Sequence, residues 1–274
     1  MANVTRTSWN GQPFPHEVVG EILNLGLAGA PIFDTFTRRT TSRGTVAFPV
    51  GDPSGFDWVA ELGEIPSVDP GDDTAVAAVA KLAGMILLSN ESIGDSELNL
   101  TDEVGRLIRE SMASKADTDL VYGVTPAAPE APAGFFGDLT AVSEASLRAS
   151  VVAAAADILA AGGTPTTVLL SPALWAAEMT RRESTPTAVG ALFDDLGLGL
   201  DVRVAATLEA TDGMVIDKAG CFGIIRTDFS IEATTDGGQA WTHDGVSLRV
   251  KARLAAAIPA PAKHARAIAV DPGD

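Results

Sequence analysis

The chain has 274 residues, 46% of them hydrophobic, enough to bury a sizeable core as one large domain or two lobes. Its 36 Asp and Glu against 19 Lys and Arg leave a formal charge of −17, which argues against a surface wrapped on DNA or on an anionic membrane, both polyanions themselves. A single cysteine, Cys221, excludes an intrachain disulfide and suits a reducing compartment; there is no signal-peptide h-region, and apolar runs such as Val151–Ala156 are far too short to span a membrane.

Residues 1–40 read as an arm. Pro13 and Pro15 favour extended backbone, and Glu17–Leu27 carries Val18, Ile22 and Leu25 at helical spacing. Arms of this kind are disordered or ordered by a neighbour. Gly44–Val50 then reads as a strand, and Thr74–Leu88 as a returning strand pair or bent strand. Between them lies a long Gly/Pro/Asp-rich loop. From Gly44 to Ala80 the chain holds Asp52, Asp57, Glu61, Glu64, Asp69, Asp72 and Asp73 and no Lys, Arg or His. Loops this long inside a compact domain are uncommon and usually functional. This one also holds Phe56, Trp58, Leu62 and Ile65, which are costly to leave in water. It either folds back on its own domain or projects as a hairpin onto another subunit.

A helix is predicted next, from Thr101 to Val121, with Asn99 or Thr101 as its cap and Asp102 and Glu103 suiting the dipole in the first turn. Val104, Leu107, Ile108, Met112, Ala116 and Leu120 follow the 3.6-residue period over roughly 30 Å. Gly123 and Pro126 stop it, and the Pro/Ala-rich stretch Thr125–Gly137 marks a lobe boundary. Beyond it, a helix over Glu144–Ala161, a buried strand over Thr166–Ser171, and a helix capped by Ser171 with Pro172 at its first position form a small α/β unit. The remainder is strand-rich: Asp201–Thr207, Met214–Asp217, Phe222–Arg226, Ile231–Thr235 and the long Val246–Ile258. The last alternates cleanly, with Val246, Leu248, Val250, Ala252 and Leu254 on one face and Ser247, Arg249, Lys251 and Arg253 on the other. Alternate residues of a strand lie about 7 Å apart, so the three cations form a stripe. The mixture of helices and strands indicates an α+β protein.

A catalytic or cofactor-binding reading finds little to use. His16, His243 and His264 sit in the arm, a turn and the final segment without metal-ligand spacing, and one cysteine cannot build a zinc site. No Gly-rich nucleotide motif and no GxSxG elbow occurs. Cys221, between Gly220 and Phe222, reads as a small core residue. The pairs Asp72-Asp73 and Asp194-Asp195 could ligate calcium or do acid–base work, but adjacent acids in turns are more often solvated. The stripe Arg249/Lys251/Arg253 is too small a cationic patch, in so acidic a chain, to indicate nucleic-acid binding.

The order of short motifs carries more information. Trp58-Val59-Ala60-Glu61 is followed by Ile65-Pro66, then Lys81–Met85, Leu88-Ser89-Asn90-Glu91-Ser92, Asp95-Ser96, the long helix, and Ala116–Asp119 with Tyr122-Gly123. Leu169–Trp175 and Arg253-Leu254-Ala255 come later. This series resembles the major capsid proteins of tailed bacteriophages, over about residues 17 to 270. The resemblance implies the Hong Kong 97-type capsid fold, shared with encapsulins: an N-terminal arm (1–40), an extended β-hairpin loop (41–88), a peripheral domain with a long spine helix (89–130 and 228–258), and an α/β axial domain (131–227 and 259–274). It implies a structural protein, not an enzyme, assembling with itself into hexamers and pentamers of an icosahedral virion shell around double-stranded DNA, built in the host cytoplasm. It implies no cofactor, no metal and no membrane. Portal and decoration proteins are the other partners it brings, with a separate scaffolding protein, or assembly without one, expected because the arm begins at Met1. Some members cross-link neighbours through a loop lysine; here Ile65 precedes Pro66 at that place, so a noncovalent shell is expected. The subunit-interface residues expected are Phe56, Trp58, Glu61, Glu64 and Ile65 on the loop and Arg249, Lys251 and Arg253 on the basic strand. An encapsulin-type compartment, a hydrolase using the acidic pairs, and a monomeric binding module are the alternatives.

Overall fold

A computed structural model describes residues 8–9, 12–13, 30–51, 56–68, 73–91, 100–124, 131–183, 193, 196–235 and 238–270. The predicted helix over Glu17–Leu27, the cap Asn99, His16, Asp72 and the Asp194-Asp195 pair lie outside these residues. After a two-residue pairing of Ser8–Trp9 with Gln12–Pro13, the elements run α1 (Pro31–Thr35), β1 (Thr37–Thr40), β2 (Thr45–Pro49), β3 (Thr74–Ala78), β4 (Ala80–Ser89), α2 (Leu100–Tyr122), β5 (Ala141–Glu144), α3 (Leu147–Ala160), β6 (Thr167–Leu170), α4 (Pro172–Glu183), β7 (Asp201–Val204), β8 (Asp212–Ile216), β9 (Phe222–Thr234), α5 (Gly238–Thr242), β10 (Gly245–Ala257), α6 (Pro261–His264) and β11 (Ala265–Val270).

Besides two-stranded pairs, among them β2 with β3, the described residues form two larger sheets. The first has the order β1-β9-β10-β4, with β10 antiparallel to both its neighbours and β1 parallel to β9. The alternation read in β10 is realised: Val246, Leu248, Val250, Ala252 and Leu254 are buried and pack with Ile108, Ala113, Ala116 and Leu120 of α2. Burying each large aliphatic side chain is worth about 1.5–3 kcal/mol, so this seam fixes the long helix to one face of the sheet. Leu107, predicted to face inward, is instead half exposed.

The second sheet has the order β5-β11-β8-β6-β7. Its central strands are covered on both faces. Val168, Leu170, Val215 and Ile268 pack with Leu147, Val151, Ala154 and Ile158 of α3, while Leu169, Met214, Ile216 and Ala267 face the second core around Ile32, Phe36, Val121 and Phe135. Double coverage is why this region reads as an unbroken apolar run with no alternation.

Several boundaries differ from the sequence reading. Helix α3 begins at Leu147, because Ser146 caps it by accepting the Ala149 N–H at 3.2 Å; Ala141–Glu144 is a strand against β11. Phe222–Arg226 and Ile231–Thr235 are one strand, bent by register shifts on either side of Thr227. Thr74–Leu88, by contrast, is the strand pair that the sequence reading offered, with its break at Val79 and the second strand pairing with β10 from Leu254 back to Gly245. Thr101 lies inside α2, not at its cap.

The last turns of α2 are tied to the second sheet. Gly123 and Gly134, both near φ +80°, close the segment that leaves the helix, and the Phe135 N–H donates to the Val121 carbonyl at 2.9 Å. A Cβ on either glycine would fall 2.4 Å from backbone of the other strand of the turn. The Tyr122 hydroxyl donates to Asp212 Oδ2 at 2.7 Å and accepts the Glu209 N–H at 2.9 Å, tying the helix end to the second sheet.

Candidate assembly surfaces

The loop between β2 and β3 is anchored at its foot and unsupported beyond. At the foot, Phe48 and Ala77 join Ile224 and Ala255 in a small core. Phe48 stacks on Phe222 with centroids 4.9 Å apart, and the Arg39 guanidinium lies over the other ring, 4.5 Å from its centroid. The Val50 N–H donates to the Asp73 carbonyl at 2.8 Å, closing the hairpin. Further out, the large apolar side chains among the described residues are exposed. Trp58 is 101% and Leu62 103% exposed, with Phe56 at 76% and Ile65 at 84%. Glu61 and Glu64 are exposed beside them. A local turn shapes the tip, with Leu62 at φ 64° and the Gly63 N–H donating to the Ala60 carbonyl at 2.8 Å.

The basic stripe lies on the sheet face opposite α2. Arg249, Lys251 and Arg253 share this face with Lys81, Ala83 and Thr227, and the six line a shallow recess of about 300 Å³. The stripe is not uniformly available. Glu232, opposite Arg249 in the β9–β10 register, bonds both Lys251 and Arg249. Those two cations, Lys251 first, hold its carboxyl down at about 2. Lys81 sits directly opposite Arg253 in the β4–β10 register. Met85 and Leu87, opposite Arg249 and Ser247, are exposed and extend the same face with apolar surface. Among the described residues no hydrogen bond or ion pair joins the loop to the stripe. Further exposed apolar side chains stand elsewhere, among them Trp175 and Met179, one turn apart on α4, and Trp241 on α5.

Sequence reasoning missed Glu232, Lys81, Met85 and Leu87. Their roles arise from strand register, which one sequence does not display.

The buried polar groups serve the fold. Cys221 is fully buried; burial, then the charge of Asp217, pushes its thiol well up, and the thiol donates to the His264 backbone carbonyl at 3.9 Å, not to the imidazole. His264 Nδ1 lies 2.9 Å from Asp217 Oδ2, and Asp217 also accepts the N–H groups of Thr164 and Ala219. Burial alone would raise this carboxyl, but the His264 bond and the two backbone donors hold it below the ordinary value. The imidazole rests on Gly220, where any Cβ would come within 2.0 Å of it. Asp117, in the C-terminal third of α2, is 1% exposed. It accepts the N–H groups of Ile32 and Phe33 at 3.0 and 2.9 Å and the Thr207 hydroxyl at 3.0 Å. Since Pro31 has no N–H, these are the first free donors of α1, capped by a carboxylate from another helix. Among the described residues no three metal-ligating side chains cluster, and no helix is long and apolar enough to cross a membrane.

A family profile described as the phage capsid family matches residues 11–182. The chain belongs to that family. The capsid protein also has the Hong Kong 97-type fold. A structure from Mycobacterium phage Cain is similar with a TM-score of 0.72 at 18% identity, covering 90% of this chain and 92% of that one. One from Mycobacterium phage Adephagia gives 0.70 at 19% identity, covering 90% and 91%. The crystal structure of a virus-like particle from Pyrococcus furiosus gives 0.61 at 9% identity, covering 93% and 98%. No curated protein sequence matches the chain. Family and fold point to a structural protein of a capsid shell, placed in the virion.

Proposed function

We propose that this capsid protein tiles with copies of itself as hexamers and pentamers of an icosahedral head that encloses double-stranded DNA, each loop lying across the first sheet of a neighbour. The observation that carries this reading is the exposed apolar tip of the loop, Phe56, Trp58, Leu62 and Ile65. Exposed patches of this kind mark contact surfaces. The facing surface offers both chemistries the loop needs: Met85 and Leu87 for its apolar groups, and cations for Glu61 and Glu64. Exposed ion pairs contribute only about 0–1 kcal/mol each, so apolar burial supplies adhesion and charge selects register. The division into arm (1–40), extended loop (41–88), peripheral domain (89–130 and 228–258) and axial domain (131–227 and 259–274) belongs to this proposal, with the bend of β9 at Thr227 as its seam. The family resemblance extends it to scaffolding, portal and decoration proteins as partners, and to assembly in the host cytoplasm. A net charge of −17 suits a wall that holds DNA without binding it.

Charge reversal at Lys251 and Arg253 is expected to abolish shells in negative-stain microscopy while leaving soluble, folded subunits. Normal shells from that variant would refute the pairing. A second reading, a compartment shell of encapsulin type, is kept open by the likeness to the Pyrococcus furiosus particle. Nuclease-protected DNA inside purified shells favours the phage head; a protein cargo favours the compartment.

A further inference from the structure

The stripe read from the sequence contains three equivalent cations, but the fold makes them unequal. Arg249 and Lys251 are both bonded to Glu232 of the same subunit. Arg253 faces Thr227 on one side and Lys81 on the other. Neither Arg253 nor Lys81 has an anionic partner among the described residues. Like charges directly opposite each other on neighbouring strands repel. Glu232, the acid that reaches this face, is already shared between two cations. The register shifts around Thr227 open the ladder beside Arg253, as bulges do, and Ala83 contributes little bulk, so Lys81, Arg253 and Thr227 border one recess.

We infer that Lys81 and Arg253 form the seat for a carboxylate from the acidic loop of a second copy, while Glu232 withholds Arg249 and Lys251 from that contact and so fixes where along the strand the loop settles. The inference rests on the loop-over-sheet reading above and narrows it to two residues. The occupant follows from charge: the described stretch 56–68 carries Asp57, Glu61 and Glu64 and no cation, all three acids are exposed, and the apolar groups beside them match Met85 and Leu87 on the receiving face. Without Glu232 the stripe would present four cations along about 14 Å of strand, and a loop carboxylate could settle at several registers.

The test compares full-length variants by sedimentation and negative-stain microscopy, with circular dichroism melts confirming folded subunits. Neutralising the seat (Lys81→Gln with Arg253→Gln) is expected to abolish shells. Neutralising the internal trio (Arg249→Gln, Glu232→Gln and Lys251→Gln together) is expected to leave assembly competence, with misregistered or polymorphic shells. The decisive arm is a charge swap: Glu61→Lys with Glu64→Lys, and Lys81→Glu with Arg253→Glu, each expected to fail alone and to form shells when combined in one chain. Normal shells from the neutralised seat, or failure of the combined swap although its subunits fold, would overturn the inference and leave the loop-over-sheet reading standing. Shells that form from the seat variants but lose packaged DNA would overturn it in favour of a phosphate ligand. Shells formed by a Trp58→Asp variant would instead sink the underlying reading.

Discussion

Asp117 shows how much one side chain can organise. It is the cap of a helix to which it does not belong, holding α1 against α2 and recruiting Thr207, 90 residues further along the chain. Replacing it with alanine leaves two backbone donors and a hydroxyl without their acceptor, and a buried unsatisfied group costs about 1–3 kcal/mol. A lower urea midpoint of unassembled Asp117→Ala subunits checks this; an unchanged midpoint would contradict the capping role. The pH dependence has a definite sign. Burial raises this carboxyl above its ordinary 3.8 despite three donors, so ionising it is harder in the folded chain than in the unfolded one. Its contribution therefore declines as pH rises from about 3.8 through the higher folded value, and Asp117→Asn should flatten the stability profile over that window. None of this was legible from the sequence, where Asp117 is simply a polar position of a helix. Its donors lie 84 and 85 residues away, and only tertiary structure supplies them.

At the scale of elements, what could be read was what local chemistry dictates. The spine helix, the Ser171–Pro172 helix start and the alternation of β10 each follow from periodicity or capping within one segment. Indeed Ser171 Oγ accepts the Leu174 N–H at 3.3 Å. What could not be read depends on pairing at a distance. β1 and β5 are four-residue strands with largely exposed patterns, held by β9 and β11 from far along the chain. The loop residues chosen from the sequence are where exposure places them, because an acidic, aromatic, Gly/Pro-rich run is a local signal. The split of the basic stripe by Glu232 was invisible, because it needs the β9–β10 register. The closure of α2 gives a prediction at this scale. Gly134→Ala would place a Cβ 2.4 Å from the Gly123 nitrogen and force φ +80° on alanine. Strain of this kind costs of order 1–3 kcal/mol, and it falls where the end of α2 is tied to the second sheet. A urea midpoint lowered by that amount is expected, whereas Gly137→Ala, with open space around its Cβ, should change it far less.

For the whole molecule, the loop separates stability from assembly, because the residues that hold one subunit together are not those that would hold two. Trp58 and Leu62 make no buried contact in the lone subunit. Truncating either to alanine should therefore leave subunit stability within about 0.5 kcal/mol of wild type, as for surface positions generally. Each forfeits about 1.5–3 kcal/mol of apolar burial once the loop lies on a neighbour. A loss of about 2 kcal/mol weakens a contact about 30-fold, and in a closed shell every subunit both gives and receives that contact. The concentration at which shells first appear should thus rise about 10- to 150-fold in each variant, measured by light scattering on subunits whose melting is unchanged. Core truncation gives the opposite pattern: Leu169→Ala, fully buried in β6 of the second sheet, should cost the subunit about 2–5 kcal/mol before assembly begins. If Trp58→Ala destabilised the isolated subunit as Leu169→Ala does, the tip would be packing on its own chain, and a neighbouring molecule would not be its partner.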